Sequence, residues 1–262
     1  MTSAALTIAN LTTSFAQLDE VVAQLDDDGW ATQSLCPDWT ARGALTHVTA
    51  VEQVLDGWFP EGVDTPLPFD QIAAFGTEAA AWSNEELLAR HREIVDRRSA
   101  QLAALDEAAF GTPSPTPVGP QTYGRFMAIR VFDVWVHVRD IARPAGIATD
   151  DGGPAAEMAL AEVIGSMGYI AGKKIGVADG QSLLIELTGP VETTIPVAVD
   201  GRAKVVDSVD DPTATLRTDS ATFTLLACGR IDPETEIAEG RVSWSGDHDL
   251  GRRAATSLRF TM

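Results

Sequence analysis

His137, one of four histidines in the 262-residue chain, stands four residues after Asp133 and three before Asp140, in the run RVFDVWVHVRD. At 100° per residue, Arg130, Asp133, His137 and Asp140 fall within about 80° of one another on a helix. The residues between them are apolar, so the helix reads as buried and its polar stripe must face the interior or a cavity. Charges there are costly unless paired or bound to a metal. A carboxylate and an imidazole one turn apart converge on one point, as ligands on metal-binding helices do. The same spacing also suits an Asp133–His137 hydrogen bond, or an Arg130–Asp133–His137 ion network with no metal.

A third ligand must come from another helix. In ARGALTHVTAVEQVLDGW, helical phase groups His47 with Ala44, Val51, Val54, Leu55 and Trp58, and puts Arg42, Thr46, Thr49 and Gln53 opposite. His47 thus lies within an apolar stripe, as a core histidine or as a ligand. His91 is in phase with Leu87, Ile94, Val95 and Leu102, and Arg98 shares that face. Both either line a space between helices or, for Arg98, snorkel to solvent. His248 reads as a surface-loop or helix-start residue.

The elements that must carry these residues change character along the chain. Helical periodicity covers about 5–26, 41–58, 84–105, 123–143 and 155–171, with proline-rich loops at 59–70 and 110–122. Pro37, Asp38 and Thr40 are helix-start signals for the second of these. From about Gly180 short aliphatic and β-branched runs read as strands: SLLIELTG, TTIPVAVDG, AKVVDS and ATLRTD. A helix follows in DSATFTLLACGR, between Asp219 and Gly229, then a strand in GRVSWSGD and a helix in DLGRRAATSL. The expectation is an α+β protein: a helical bundle over 1–175, then a smaller α/β domain over 176–262.

A formal charge of −19 argues against nucleic acid and against anionic membrane surfaces as partners. The opening residues lack the basic and apolar regions of a signal peptide, and no apolar run reaches the length of a membrane span. Two cysteines in separate contexts, Cys36 and Cys228, suggest neither a disulfide framework nor a cysteine-rich zinc site. A cytoplasmic setting is the simplest expectation.

Three stretches, in order along the chain, resemble the mycothiol-dependent maleylpyruvate isomerase-like family, whose bundle is DinB-like. SLCPDWTARGALTHV is similar to that family's Cys-Pro-x-Trp-Thr followed by a helical histidine. RVFDVWVHVRDI is similar to its second metal motif, although many members have Glu at the place of Asp133. The segment from DGQSLLIELTG to LLACGR resembles its C-terminal domain, which is similar to sterol carrier proteins, although the tryptophan often found before Gly-Arg is missing. The resemblance implies that His47, Asp133 and His137 bind a divalent metal, zinc, and that Arg230 approaches the site.

Two histidines and one carboxylate leave coordination positions open, as catalytic zinc sites do. The chain offers no obvious nucleophile, so an external low-molecular-weight thiol, mycothiol by resemblance, fits better than Cys36. The expected reaction is thiol attack on a small-molecule electrophile, giving cis–trans isomerisation or S-transfer. Arg230 and Arg130 are candidates for binding the thiol or orienting an anionic substrate. Asp140 is a candidate partner for a ligand histidine. The protein is expected as a monomer or homodimer. The competing class is a non-catalytic small-molecule-binding protein with a structural Asp/His ion network.

Overall fold

The computed structural model describes residues 3–261. They form two compact units that divide between Thr149 and Asp150. The first holds α1 (Ala4–Val22), α2 (Asp27–Ala31), α3 (Ala41–Leu55), a 3-10 turn (Pro68–Gln71) running into α4 (Ile72–Ala79), α5 (Asn84–Ala103) and α6 (Glu107–Phe110). A two-residue hairpin, β1 (Pro113–Ser114) with β2 (Gln121–Thr122), then leads into α7 (Tyr123–Ala142).

Each of the four long helices begins on a side-chain cap. Ser3, Thr40, Ser83 and Thr122 each accept from a backbone N–H in the first turn, and Ser83 with Glu86 completes a reciprocal capping box. α1 packs on α7 and α5, and α3 packs on α5 and α7, so the four close a bundle. Its core includes Leu11, Leu18, Leu45, Val48, Leu87, Ile94, Phe126 and Val134. α7 is buried nearly all round, as its sequence requires.

The second unit holds α8 (Gly153–Gly165), α9 (Met167–Tyr169), a π-helical turn (Ile170–Ile175), β3 (Ser182–Thr188), β4 (Thr193–Asp200), β5 (Arg202–Val205), β6 (Ala214–Asp219), α10 (Ser220–Ala227), α11 (Pro233–Ala238), β7 (Ser243–Gly246) and α12 (His248–Thr256). The strands form one mixed sheet in the order β5-β4-β3-β6-β7; β3 and β6 run parallel and the other pairs antiparallel. Ile185 on β3 lies opposite Ile195 on one side and Leu216 on the other, all three buried.

The architecture is the expected helical bundle followed by an α/β unit. Several details differ from the sequence reading. α8, read as a bundle helix, belongs to the second unit and packs on α10, so the division falls at 149/150 and not near 175. α2, α4, α6, α11 and the β1–β2 hairpin were not anticipated. Among the described residues no helix is long and apolar enough to cross a membrane.

Candidate metal centre

α3 and α7 bring His47, Asp133 and His137 together, with one potential ligand atom of each lying within 4.8 Å of the others. His137 Nε2 is 3.7 Å from Asp133 Oδ1, and His47 Nε2 is 4.0 Å from Asp133 Oδ2. Both separations exceed a hydrogen bond, so the Asp–His hydrogen bond allowed by the sequence is not formed. Two nitrogen or oxygen ligands about 2.0–2.1 Å from a tetrahedral ion stand about 3.4 Å apart. The observed spacings are close to that figure and too wide for a direct contact. His137 and Asp133 are 5% and 29% exposed at their side chains, and His47 is 24%, so the cluster sits at the rim of the bundle rather than in its core.

Each member is held from behind. His137 Nδ1 lies 2.8 Å from Asp140 Oδ2, and Asp140 is fully buried. With the proton on Nδ1 donated to that carboxylate, Nε2 keeps its lone pair for the cluster. The His47 ring stacks on Trp39, centroids 4.5 Å apart at 26°. Trp39 is delivered by the loop before α3. There Ser34 Oγ and Gln33 Nε2 both donate to the Trp39 carbonyl at 2.7 Å, and Leu35 N donates to the Asp140 carbonyl at 3.0 Å. Gly43 makes the stack possible, because a Cβ there would lie 3.0 Å from Trp39 Cβ.

Asp133 is held by Arg130, whose Nη1 donates to Oδ2 at 2.6 Å. Arg130 Nε also donates to Glu52 Oε1 at 2.9 Å, and Glu52 Oε2 accepts from Arg98 Nε at 3.1 Å. Glu52 and Arg98 are both fully buried. Burial alone would raise the Asp133 carboxyl. The Arg130 guanidinium, then His137 and His47, and the Arg130 hydrogen bond outweigh it and bring the pKa down to about 2. The ion network allowed by the sequence extends inward as Arg98–Glu52–Arg130–Asp133, and both histidines lie within 4.0 Å of its Asp133 end without a hydrogen bond to it. Arg130, expected as a candidate for binding a thiol or a substrate, is buried and donates to the two carboxylates Glu52 and Asp133.

The remaining candidates fall elsewhere. His91 is buried, with Nδ1 2.9 Å from Thr49 Oγ1; since that hydroxyl donates to the Leu45 carbonyl, its oxygen accepts from His91. Arg98 does not snorkel outward. Arg230 lies in the second unit, where its Nη1 donates to the Cys228 carbonyl at 3.2 Å past the end of α10. Gly229, at φ +67°, turns the chain there and lets Arg230 N close on the Leu225 carbonyl. His248 is the first residue of α12 and is exposed. Cys36 and Cys228 are not joined in a disulfide.

Glu52 escaped the sequence reading, although a signal was present. It is in phase with Leu45, Val48 and Leu55, all buried, so an acidic residue stands on the deepest face of α3. Thr49, placed by helical phase opposite the apolar stripe of His47, is buried too. A groove of about 420 Å³ runs from His47 and Trp39 along α3 to α4. A larger cleft, about 650 Å³, lies in the second unit by α8 and β5 and contains none of the three metal-competent residues.

The donor set suits a divalent ion: two imidazoles and a carboxylate that is ionised throughout the physiological range, with both ligands on α7 hydrogen-bonded on their far side. Residues 11–142 match the family model described as mycothiol maleylpyruvate isomerase N-terminal domain, and residues 171–259 match the SCP-2 sterol transfer family. Two uncharacterized proteins of Mycobacterium tuberculosis, from strains CDC 1551 and H37Rv, are each 28% identical over 154 residues, 53% of this chain and 56% of the relative. The chain thus matches only about half the length of these curated relatives. The crystal structure of the mycothiol-dependent maleylpyruvate isomerase superposes with a TM-score of 0.61 at 19% identity, covering 94% of this chain and 96% of that one. A histidine-to-alanine mutant of that enzyme gives 0.60 over the same shares. The structural likeness is one of fold, and the family-model match takes in half of the sequence: the chain belongs to the mycothiol maleylpyruvate isomerase N-terminal domain family, with an SCP-2-like second unit.

Proposed function

We propose that this protein is a divalent-metal-dependent enzyme that uses a low-molecular-weight thiol, mycothiol by its family, to attack an electrophilic small molecule. The observation that carries the reading is the convergence of His47, Asp133 and His137 without hydrogen bonds between them, each fixed from its outer side. Zinc is the metal best matched to this donor set, and when bound it supplies a Lewis acid that makes thiol ionisation accessible near neutral pH.

The chain's own residues prepare that chemistry. Asp140 fixes the His137 ring and turns its Nε2 towards the cluster. Trp39 fixes the His47 ring by stacking. Arg130 takes Asp133 Oδ2, so Oδ1 faces His137. The thiol sulfur bonds to one carbon of a double bond conjugated to a carbonyl. Rotation about the resulting single bond and loss of the thiol give the trans isomer, whereas retention of the thiol gives an S-conjugate. Arg230 is assigned to binding the thiol cosubstrate.

Metal content by mass spectrometry, on protein purified without a metal column, tests the reading. About one ion per chain is expected, lost in both His47→Ala and His137→Ala together with thiol-dependent turnover. Stoichiometric metal in both variants would refute the ligand set. Absence of metal from the wild type, with stability unchanged by chelation, would leave a binding protein with a structural ion network.

A further inference from the structure

The groove beside His47 identifies the kind of electrophile this site takes, an inference that rests on the function just proposed. We infer that it selects an uncharged, largely apolar electrophile and discriminates against a dianionic one. Its walls are the aromatic face of Trp39 and small or aliphatic side chains, among them Ala50, Ile72 and Ala73, with Gly76 opposite. Its hydroxyls serve the backbone of α3: Thr46 Oγ1 donates to the Arg42 carbonyl at 2.9 Å, and Thr40 Oγ1 accepts from Gly43 N at 3.3 Å.

Arg42 is the single permanently charged group in the lining. Its Nη2 donates to the carbonyls of Ala79 and Trp82, both at 2.8 Å, and its Nη1 to Asn84 Oδ1 at 2.5 Å. Nη2 carries two hydrogens and both are spent. Each two-point face by which a guanidinium grips a carboxylate includes Nη2, so Arg42 cannot make a paired hydrogen bond to a substrate anion. Residues 1–149 carry 20 acidic against 9 basic side chains, a formal −11 that a bound divalent ion reduces only to −9, so a dianion also approaches against the net charge of its own unit. A neutral ester or ketone meets neither obstacle and gains from burying apolar surface.

The reaction balances without a further reagent. The sulfur of the thiol bonds to one alkene carbon, the π pair moves to the neighbouring carbon, and the proton lost by the thiol is delivered there. Reversal after rotation returns the thiol.

The test compares dimethyl maleate with maleate, which share a carbon skeleton and differ in charge. The metal-loaded full chain is given mycothiol, and each catalysed rate is divided by the uncatalysed rate with the same thiol. The ester is expected to show at least tenfold greater acceleration. Calorimetric titration with the saturated analogues gives a reading independent of turnover: dimethyl succinate binds and succinate does not. Gly76→Leu fills the groove, because a Cβ at Gly76 meets nothing within 4 Å. Removing a glycine from a helix also favours folding, so this variant stays folded. It is expected to lose ester binding and acceleration at least tenfold while keeping its metal.

Equal or greater acceleration with maleate, or an unaltered Gly76→Leu variant, would overturn the inference while leaving the proposed function standing. A chain that takes up no metal, or a metal-loaded chain that shows no thiol-dependent acceleration with either compound, would remove the proposed function and this inference with it.

Discussion

Glu52→Gln tests the buried network that supports the candidate site. Glu52 receives Arg98 at 3.1 Å and Arg130 at 2.9 Å, and none of the three is more than 5% exposed at its side chain. At that separation each pair has a gross attraction of about 5 kcal/mol with an effective dielectric near 20. Desolvation of the ions offsets much of this, but removing one partner leaves the others buried and uncompensated, which costs about 3–5 kcal/mol. For a unit of this size that corresponds to a fall in Tm of roughly 10 °C. The assay is urea and thermal unfolding followed by near-UV circular dichroism. Glu52→Gln with Arg98→Met removes both ends of the inner pair and should recover about 2 kcal/mol of the loss. Arg130, no longer anchored by Glu52, is drawn wholly onto Asp133 and competes with an ion for it, so zinc affinity should drop about 10- to 100-fold in the single variant. A loss below about 1 kcal/mol would refute the reasoning, since it would mean that the network is solvated.

Three other outcomes are expected. Burial lowers the His91 pKa to about 4, against a partial opposing pull from Asp19 and Glu52, so the folded state holds this imidazole neutral. The unfolded chain then takes up the proton first: stability is full above about pH 6.5, falls as pH drops towards 4, and loses about 3 kcal/mol in all. Urea titrations at several pH values should show this fall in the wild type and a flatter profile in His91→Leu. Asp140→Asn should keep the fold and lower zinc affinity about 10- to 100-fold, measured by competition with a chelating dye. Arg230→Ala should raise KM for the thiol and leave metal content unchanged; unchanged thiol kinetics would confine Arg230 to closing the end of α10.

The helices that carry the candidate site were legible because their signals are local. Thr40 and Thr122 cap α3 and α7 where the sequence places helix starts, and the Asp133–His137 spacing lies within one helix. What the sequence obscured depends on more than one element. α3 is packed on several faces, so periodicity centred on His47 hid the deeper face that carries Glu52. α4 buries only Phe75 and Ala79 and follows Pro66 and Pro68, leaving too little apolar pattern to reveal a helix. α8 has an apolar stripe, but a stripe does not say which unit it will cover. The separation between Asp133 and the two histidines, which excludes the direct hydrogen bond, depends on side-chain rotamers within α7 and on the packing of α3 against it, and could not be read from spacing.

Arg42 joins three helices with one side chain: it starts in the first turn of α3, closes carbonyls at the end of α4 and meets Asn84 at the start of α5. With two buried residues to hold it, α4 is the least anchored wall of the groove. The guanidinium therefore works as a clasp that ties α4 to its neighbours on both sides. Loosening it would free that wall of the groove without touching His47, Asp133 or His137.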